Sequence, residues 1–526
     1  MIVASPLHSS PMPVGDIPSF MFHAAERYKD EVVLVDAATE QKFTINDICS
    51  TSTQLAAGLV HNGYGGKVIS VFDNTELRCV YVYYAALMAG GAYQSLSTDT
   101  APDKLRARIA YSQTPVVFTT AAYLSQLHEA IEGLDVAVYV FGQTHGRCAF
   151  SKLLKDDASF LPVRITSRNA AMAKPAYLAY TSDVQESLQP LVFSHFGLLS
   201  SYCMGRTPFA DSPGKTAVSA VPFANSHAIV NIAHFPILSG SRVVQMSQYD
   251  AESCLEALEK WRPGVFLATY SVLVSIVDQA RRDADSGVVW LGARAFDVSQ
   301  LQVIFMHELR GSRMFKDKVA ALFGARLVEL YGYMEVGLIA GIITEYPRVE
   351  GSVGLLCPNV HARVVLDGTE LGDGQYGEIL VSTPRLMAAT AACNEQADDL
   401  SSYFHTGDFG TVTRDGVVIV KARITDLLHV RGGQVVAPAD IEEQLLRLPQ
   451  VADCAVVAVR KCVSDITFDV PAVFIVPSGS VPNVGDLLEP LVLQYPGIHG
   501  QLIDSIPRTN KGDPERTALR KLVNTF

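Results

Sequence analysis

The sequence predicts an α/β chain of more than one domain, and three observations carry that expectation. Strand and helix signals alternate through roughly the first 350 residues, the pattern of parallel strands joined by helices and buried on both faces. The texture then changes to short strands separated by Gly- and Asp-containing turns, which suggests an antiparallel β region. A last stretch of about 100 residues carries its own helix, two strands and a further helix, enough for a small α+β domain. At 526 residues the chain is too long for a single core.

In chain order, EVVLVDA (31–37) reads as a strand. FTINDICSTSTQLAAGLVHNGY reads as a helix, with Thr44 as N-cap, Asp47 three residues on, and Ile48, Leu55 and Leu59 at near-helical spacing. KVISVF is a strand, ELRCVYVYYAALMAG a helix and PVVFTT a strand. AVSAVPF, RVVQMS, GVFLATY, LQVIFM and RLVELYG continue the strand series. GLIAGIIT (337–344) and CAVVAV (454–459) have the length of buried strands, and no apolar run reaches the roughly 18 residues of a membrane span. ARVVLDG, YGEILVST and GTVTRDGVVIVKAR supply the antiparallel region; APADIEEQLLRL, VADCAVVAV, VPAVFIV and VGDLLEPLVLQY supply the last domain.

Composition narrows the function classes. A formal net charge of −12 and the lack of a basic face argue against a nucleic-acid partner, because neutralising phosphates requires clustered cations. Nine cysteines without a C-x-x-C pair read as reduced thiols rather than as disulfides or a zinc site. The first residues lack a charged segment followed by a long apolar core, and LVNTF is not a peroxisomal ending, so a cytoplasmic location is expected.

Four stretches carry a family resemblance. YFHTGDFGTVTRDGVVIVKARITDLLHVRGGQVVAPADIEEQL (403–445), VELYGYMEVG (328–337), SAVPFANSHA (219–228) and IPRTNKGDPERTALRK (506–521) stand in the order of the adenylate-forming enzymes. That superfamily comprises acyl-CoA synthetases, nonribosomal adenylation domains and beetle luciferases. The chain is most similar to the 4-coumarate–CoA ligase-like fungal acyl-CoA ligases. The resemblance implies a large N-terminal domain (1–424) of two sheet-and-helix lobes plus a β-barrel-like subdomain (about 350–424). It also implies a small mobile C-terminal lid (425–526). The reaction it implies is attack of a carboxylate on Mg-ATP to give an acyl-adenylate, then displacement of AMP by a thiol, usually that of CoA.

Position by position, the nucleotide machinery departs from the family pattern. The phosphate loop Tyr-(Ser/Thr)-Ser-Gly-Thr-Thr-Gly-x-Pro-Lys-Gly aligns with Tyr180–Pro190. Tyr180, Thr181, Ser182 and the downstream His195 match, but the glycines become Asp183 and Glu186, the lysine becomes Gln189 and the last glycine Pro190. A polyphosphate requires close backbone N–H groups and positive charge. Two carboxylates oppose it by roughly 1–4 kcal/mol per unit-charge pair at ~4 Å. The motif threonine of YGYMEVG is Met334, which offers no hydrogen bond to a phosphate, while Glu335, the family's magnesium ligand, remains. The lid lysine is Asp513, with Lys511 two residues before it. At the adenine shelf stands MHELRG (306–311), where Met306 and His307 replace small residues and Arg310 replaces a proline. The family's aromatic-cap histidine is Asn225, and an imidazole stands two residues on at His227. The nucleotide anchors implied by the resemblance survive: Asp408 and Arg423 for the ribose, with Tyr331 and Glu335 beside them.

Five changed ATP-handling features make ordinary adenylation improbable, so no cofactor is expected. ATP, Mg and CoA enter only if the chain is still a ligase. The leading expectation is an ATP-independent enzyme on a small-molecule or acyl intermediate of secondary metabolism, polyketide- or amino-acid-derived. Its candidate acid/base groups are His227, Glu308, Asp183, Glu186 and His307, and its pocket residues Asn225, His227, Tyr333 and Met334. Cyclisation, condensation, isomerisation and thioester cleavage all suit such groups. A non-catalytic pseudoenzyme binding a ligand or partner, and a ligase still forming acyl-adenylate, are the alternatives.

Overall fold

The computed structural model describes the chain apart from residues 10, 143–147, 181–189, 205–215, 223–228, 283–286, 308–312, 342–348, 350, 386–402, 464–465, 480–482, 509–513 and 524–526. It is an α/β molecule built on two large sheets, with a small sheet near the C-terminus.

The first large sheet has six strands in the order Ala137–Val140, Val116–Thr119, Val68–Phe72, Ala92–Leu96, Pro175–Ala179 and Leu191–Ser194. All its neighbours are parallel except the last pair. The second large sheet has a parallel centre formed by Val32–Asp36, Arg242–Gln245, Thr216–Ala220, Val265–Thr269, Val303–His307 and Arg326–Tyr333. At Tyr333 the chain reverses into Gly337–Gly341, and the sheet continues antiparallel through Gly354–Leu356, Val417–Arg423, Phe404–Val412, Gly377–Ser382 and His361–Leu366. The antiparallel region expected after residue 350 is thus an extension of the parallel sheet.

Local chemistry accounts for the elements. Thr44 and Asp47 form a reciprocal capping box at 3.0 Å each way, opening the helix Ile45–His61. The helix Cys79–Met88 is buried along its whole length, as its all-apolar sequence requires, and belongs to the largest core cluster. His195, which closes the altered loop's motif, begins the helix His195–Met204. Its Nδ1 accepts the Ile17 backbone N–H at 3.2 Å, joining two helix starts in the interior.

Beyond the short turn Ile424–Asp426, where the boundary between residues 424 and 425 was expected, the chain forms a three-stranded sheet. Its long hairpin Val451–Val463 and Ile466–Pro477 is joined by His499–Leu502 and covered by the helices Pro438–Leu446, Val484–Val492 and Arg516–Val523. Arg516 reaches Glu442 at 2.9 Å and Asp426 at 3.4 Å, so the last helix holds the turn that leads into this unit. No helix among the described residues is long and apolar enough to cross a membrane.

Candidate functional site

Two neighbouring antiparallel strands place the first two site residues. Asp408 on Phe404–Val412 and Arg423 on Val417–Arg423 are register partners, and their side chains form an ion pair at 3.0 Å. Asp408 is buried, whereas Arg423 is about half exposed. Arg423 also donates to the Thr406 carbonyl at 2.8 Å, and Thr406 Oγ1 accepts the Asp408 backbone N–H at 3.1 Å.

The strand Arg326–Tyr333 ends against this pair. Tyr331 donates its hydroxyl to Asp408 Oδ2 at 2.8 Å, and the Tyr333 hydroxyl donates to the same oxygen. Arg423 Nη1 donates to the Tyr333 oxygen at 2.6 Å. Both carboxylate oxygens of Asp408 are therefore engaged by protein donors, and one phenol bridges anion and cation. Burial, followed by the Asp408 charge, drives the Tyr331 hydroxyl far above its ordinary pKa, so it stays a donor. A register shift lies between Tyr331 and Gly332. Gly332 is required there, because a Cβ would come within 2.4 Å of the Gly337 carbonyl oxygen across the turn.

Glu335 sits half-buried in that turn, and Met334 packs against the largest core cluster. Val336 is fixed through its carbonyl, which accepts from Thr383 Oγ1 at 2.9 Å. The residues do not form a metal site by themselves: the described residues contain no group of three or more His, Cys, Asp or Glu able to hold an ion. The charge acting beside Glu335 is instead the buried guanidinium of Arg385.

Of the acid/base candidates, His307 is placed by its backbone at the carboxyl end of Val303–His307, in register with Thr269 and Leu330. Asp183, Glu186, His227 and Glu308 lie outside the described residues, as do Asn225, Lys511 and Asp513. The structure brings together Asp408, Arg423, Tyr331 and Tyr333. Tyr333, read from sequence as a pocket residue, joins the Asp408 cluster through its hydroxyl.

Two residues escaped the sequence reading. Arg385, the lone charge in ILVSTPRLMAA, is buried at 4 % exposure. His234, in the apolar run IVNIAHFPIL, is fully buried with Nε2 at 2.8 Å from the Tyr83 hydroxyl. One ionisable side chain inside a largely apolar run is the signal that could have found each.

Comparison with known proteins agrees with this architecture. The AMP-binding enzyme family pattern matches residues 21–389. The chain is similar to 4-coumarate–CoA ligase 5 of Oryza sativa subsp. japonica, at 26 % identity over 98 % of this chain and 95 % of the relative. It is also similar to the acyl-CoA ligase AKT1 of Alternaria alternata, at 21 % identity over 99 % and 97 %. Among solved structures, apo MatB from Rhodopseudomonas palustris matches with a TM-score of 0.76 at 19 % identity, over 96 % of this chain and 98 % of that one. The amide bond synthetase McbA from Marinactinospora thermotolerans matches at 0.75 and 21 % identity, over 96 % and 99 %.

Proposed function

The chain belongs to the AMP-binding enzyme family, and from that premise we propose that it is an acyl-CoA-ligase-like enzyme working without ATP-dependent adenylation, on a small acyl intermediate of secondary metabolism. One observation carries the reading: the Asp408–Arg423 pair, the ribose anchor that the family resemblance implies, is already bridged by the Tyr333 hydroxyl, with Tyr331 on the same carboxylate. A nucleotide ribose would have to displace two protein hydrogen bonds to a buried charge, each contributing about 1.5–3 kcal/mol. The sequence changes at the phosphate loop, at Met334, at Asp513 and at the adenine shelf point the same way. The reaction class is proton transfer on the bound acyl compound, leading to cyclisation, condensation, isomerisation or thioester cleavage.

The retention of Asp408, Arg423 and Glu335 favours a second reading, a ligase that still forms acyl-adenylate; the relatives are named as CoA ligases. Calorimetry of the full chain with Mg-ATP, alone and with aromatic and fatty acids, separates them when combined with an assay for AMP. The first reading expects no saturable heat and no AMP. Micromolar nucleotide binding with acid-dependent AMP release overturns it.

A further inference from the structure

Beside the turn carrying Glu335 lies a buried cation with no ion-pair contact among the described residues. Arg385 follows the strand Gly377–Ser382, and the Thr383–Val336 hydrogen bond holds its backbone against that turn. Its Nη1 donates to Ser201 Oγ at 3.0 Å, and its Cζ lies 4.1 Å from the centroid of the Phe193 ring. Gly337 closes over it, where a Cβ would lie 3.3 Å from Arg385 Cδ. Its Nε has no acceptor, and no carboxylate pairs with it, among the described residues. Glu335 acts on it through space, and burial lowers its pKa to about 10, so it remains charged.

Other arginines withdrawn from solvent are treated differently. Arg363 pairs with Glu370 at 3.5 Å, and Arg516 with Glu442 and Asp426. A buried charge without a paired counter-ion in contact costs several kcal/mol, and the direct contacts of Arg385 with its described neighbours are one neutral hydroxyl and a ring face. A second unsatisfied atom lies nearby. His234, at the end of the π-helical turn Ile229–His234, has no partner for Nδ1 among the described residues. It is close enough for the Arg385 charge to help hold its imidazole neutral. Arg385 therefore stands against the turn that follows Tyr333 and Met334, two of the residues expected to line the acyl pocket.

We propose that Arg385 anchors an acidic group of the substrate remote from the group that reacts, and that the ligand class is a small organic acid with a second anionic group, such as a dicarboxylic acid or its half-thioester. The acid's carboxylate accepts from Arg385 Nε, and His234 Nδ1 takes a polar contact of the same ligand. This deepens the function proposed above and rests on it in taking the acyl pocket to be in use. Its test omits nucleotide, so failure here and release of AMP there are separate results.

The experiment is a thermal-shift and calorimetric titration of the full chain with succinate, glutarate and terephthalate, each beside its half-amide, which has the same size and one charge less. The diacids are expected to bind about 10- to 100-fold more tightly than their half-amides. Arg385→Met is expected to erase that difference while leaving the melting temperature unchanged or raised, because it removes an unpaired buried charge. Arg385→Lys, which keeps the charge but loses the planar donor set, is expected to retain part of the preference. The proposal is overturned if half-amides and diacids bind wild type equally, or if no diacid binds at about millimolar concentration. It is equally overturned if the preference survives in Arg385→Met, or if Arg385→Lys folds normally yet binds diacids no better than half-amides.

Discussion

Asp408 and Arg423 face each other across neighbouring antiparallel strands, and the Tyr333 hydroxyl lies between their charges, donating to one and accepting from the other. Tyr333→Phe removes both hydrogen bonds and leaves the ring in place. The expected loss is about 1.5–3 kcal/mol, measured by denaturant unfolding. A change within about 0.5 kcal/mol would mean the phenol does not hold the pair.

The turn that delivers Tyr333 depends on Gly332. Gly332→Ala places a methyl 2.4 Å from the Gly337 carbonyl oxygen, which neither strand can vacate without losing its register. We expect destabilisation of about 1–3 kcal/mol or more. Gly264→Ala is the control, because a Cβ there meets nothing within 4 Å. Equal effects at the two positions would refute the steric account.

Two buried histidines predict acid sensitivity. Burial, aided by Arg385, lowers His234 to about 3, and burial lowers His195 to about 4. The unfolded chain protonates each near 6.5, so between that value and the folded one the unfolded state binds more protons and stability falls as pH falls. Each group contributes a slope of up to about 1.4 kcal/mol per pH unit. Unfolding measured from pH 7 to 4.5 should show this decline, and His195→Asn should flatten it. An unchanged slope in the variant would sink the assignment.

Arg516 joins the last helix to Glu442 and to Asp426 in the turn before the C-terminal unit. Arg516→Met leaves Glu442 without its cation and Asp426 with Arg520 alone, at 3.5 Å, and a loss of about 3–5 kcal/mol is expected. Hydrogen exchange should show it as faster opening of Pro438–Leu446 and Arg516–Val523, with the parallel sheet unaffected. Uniform acceleration across both large sheets would contradict a local role.

Much of the fold was legible because its signals are local. The capping box at Thr44 and Asp47 and the all-apolar helix Cys79–Met88 depend on residues a few positions apart. So do the runs that became Val265–Thr269 and Arg326–Tyr333. The resemblance placed Asp408 and Arg423 by motif, and the structure pairs them. Tyr333 reads from the sequence as a pocket residue, yet its hydroxyl joins the Asp408 cluster. The destination of its hydroxyl depends on a strand 75 residues away.

By itself, then, the sequence determined the α/β class and the family, because periodicity and motif are written in adjacent residues. Only the tertiary structure decided that Tyr331 and Tyr333 share one oxygen of Asp408, and that Arg385 meets Ser201 across 184 residues of chain. The physical reason is register. Which side chains satisfy a buried charge follows from how distant strands and helices align, and a one-residue slip between strands would send Tyr331, Tyr333 and Asp408 to the opposite face.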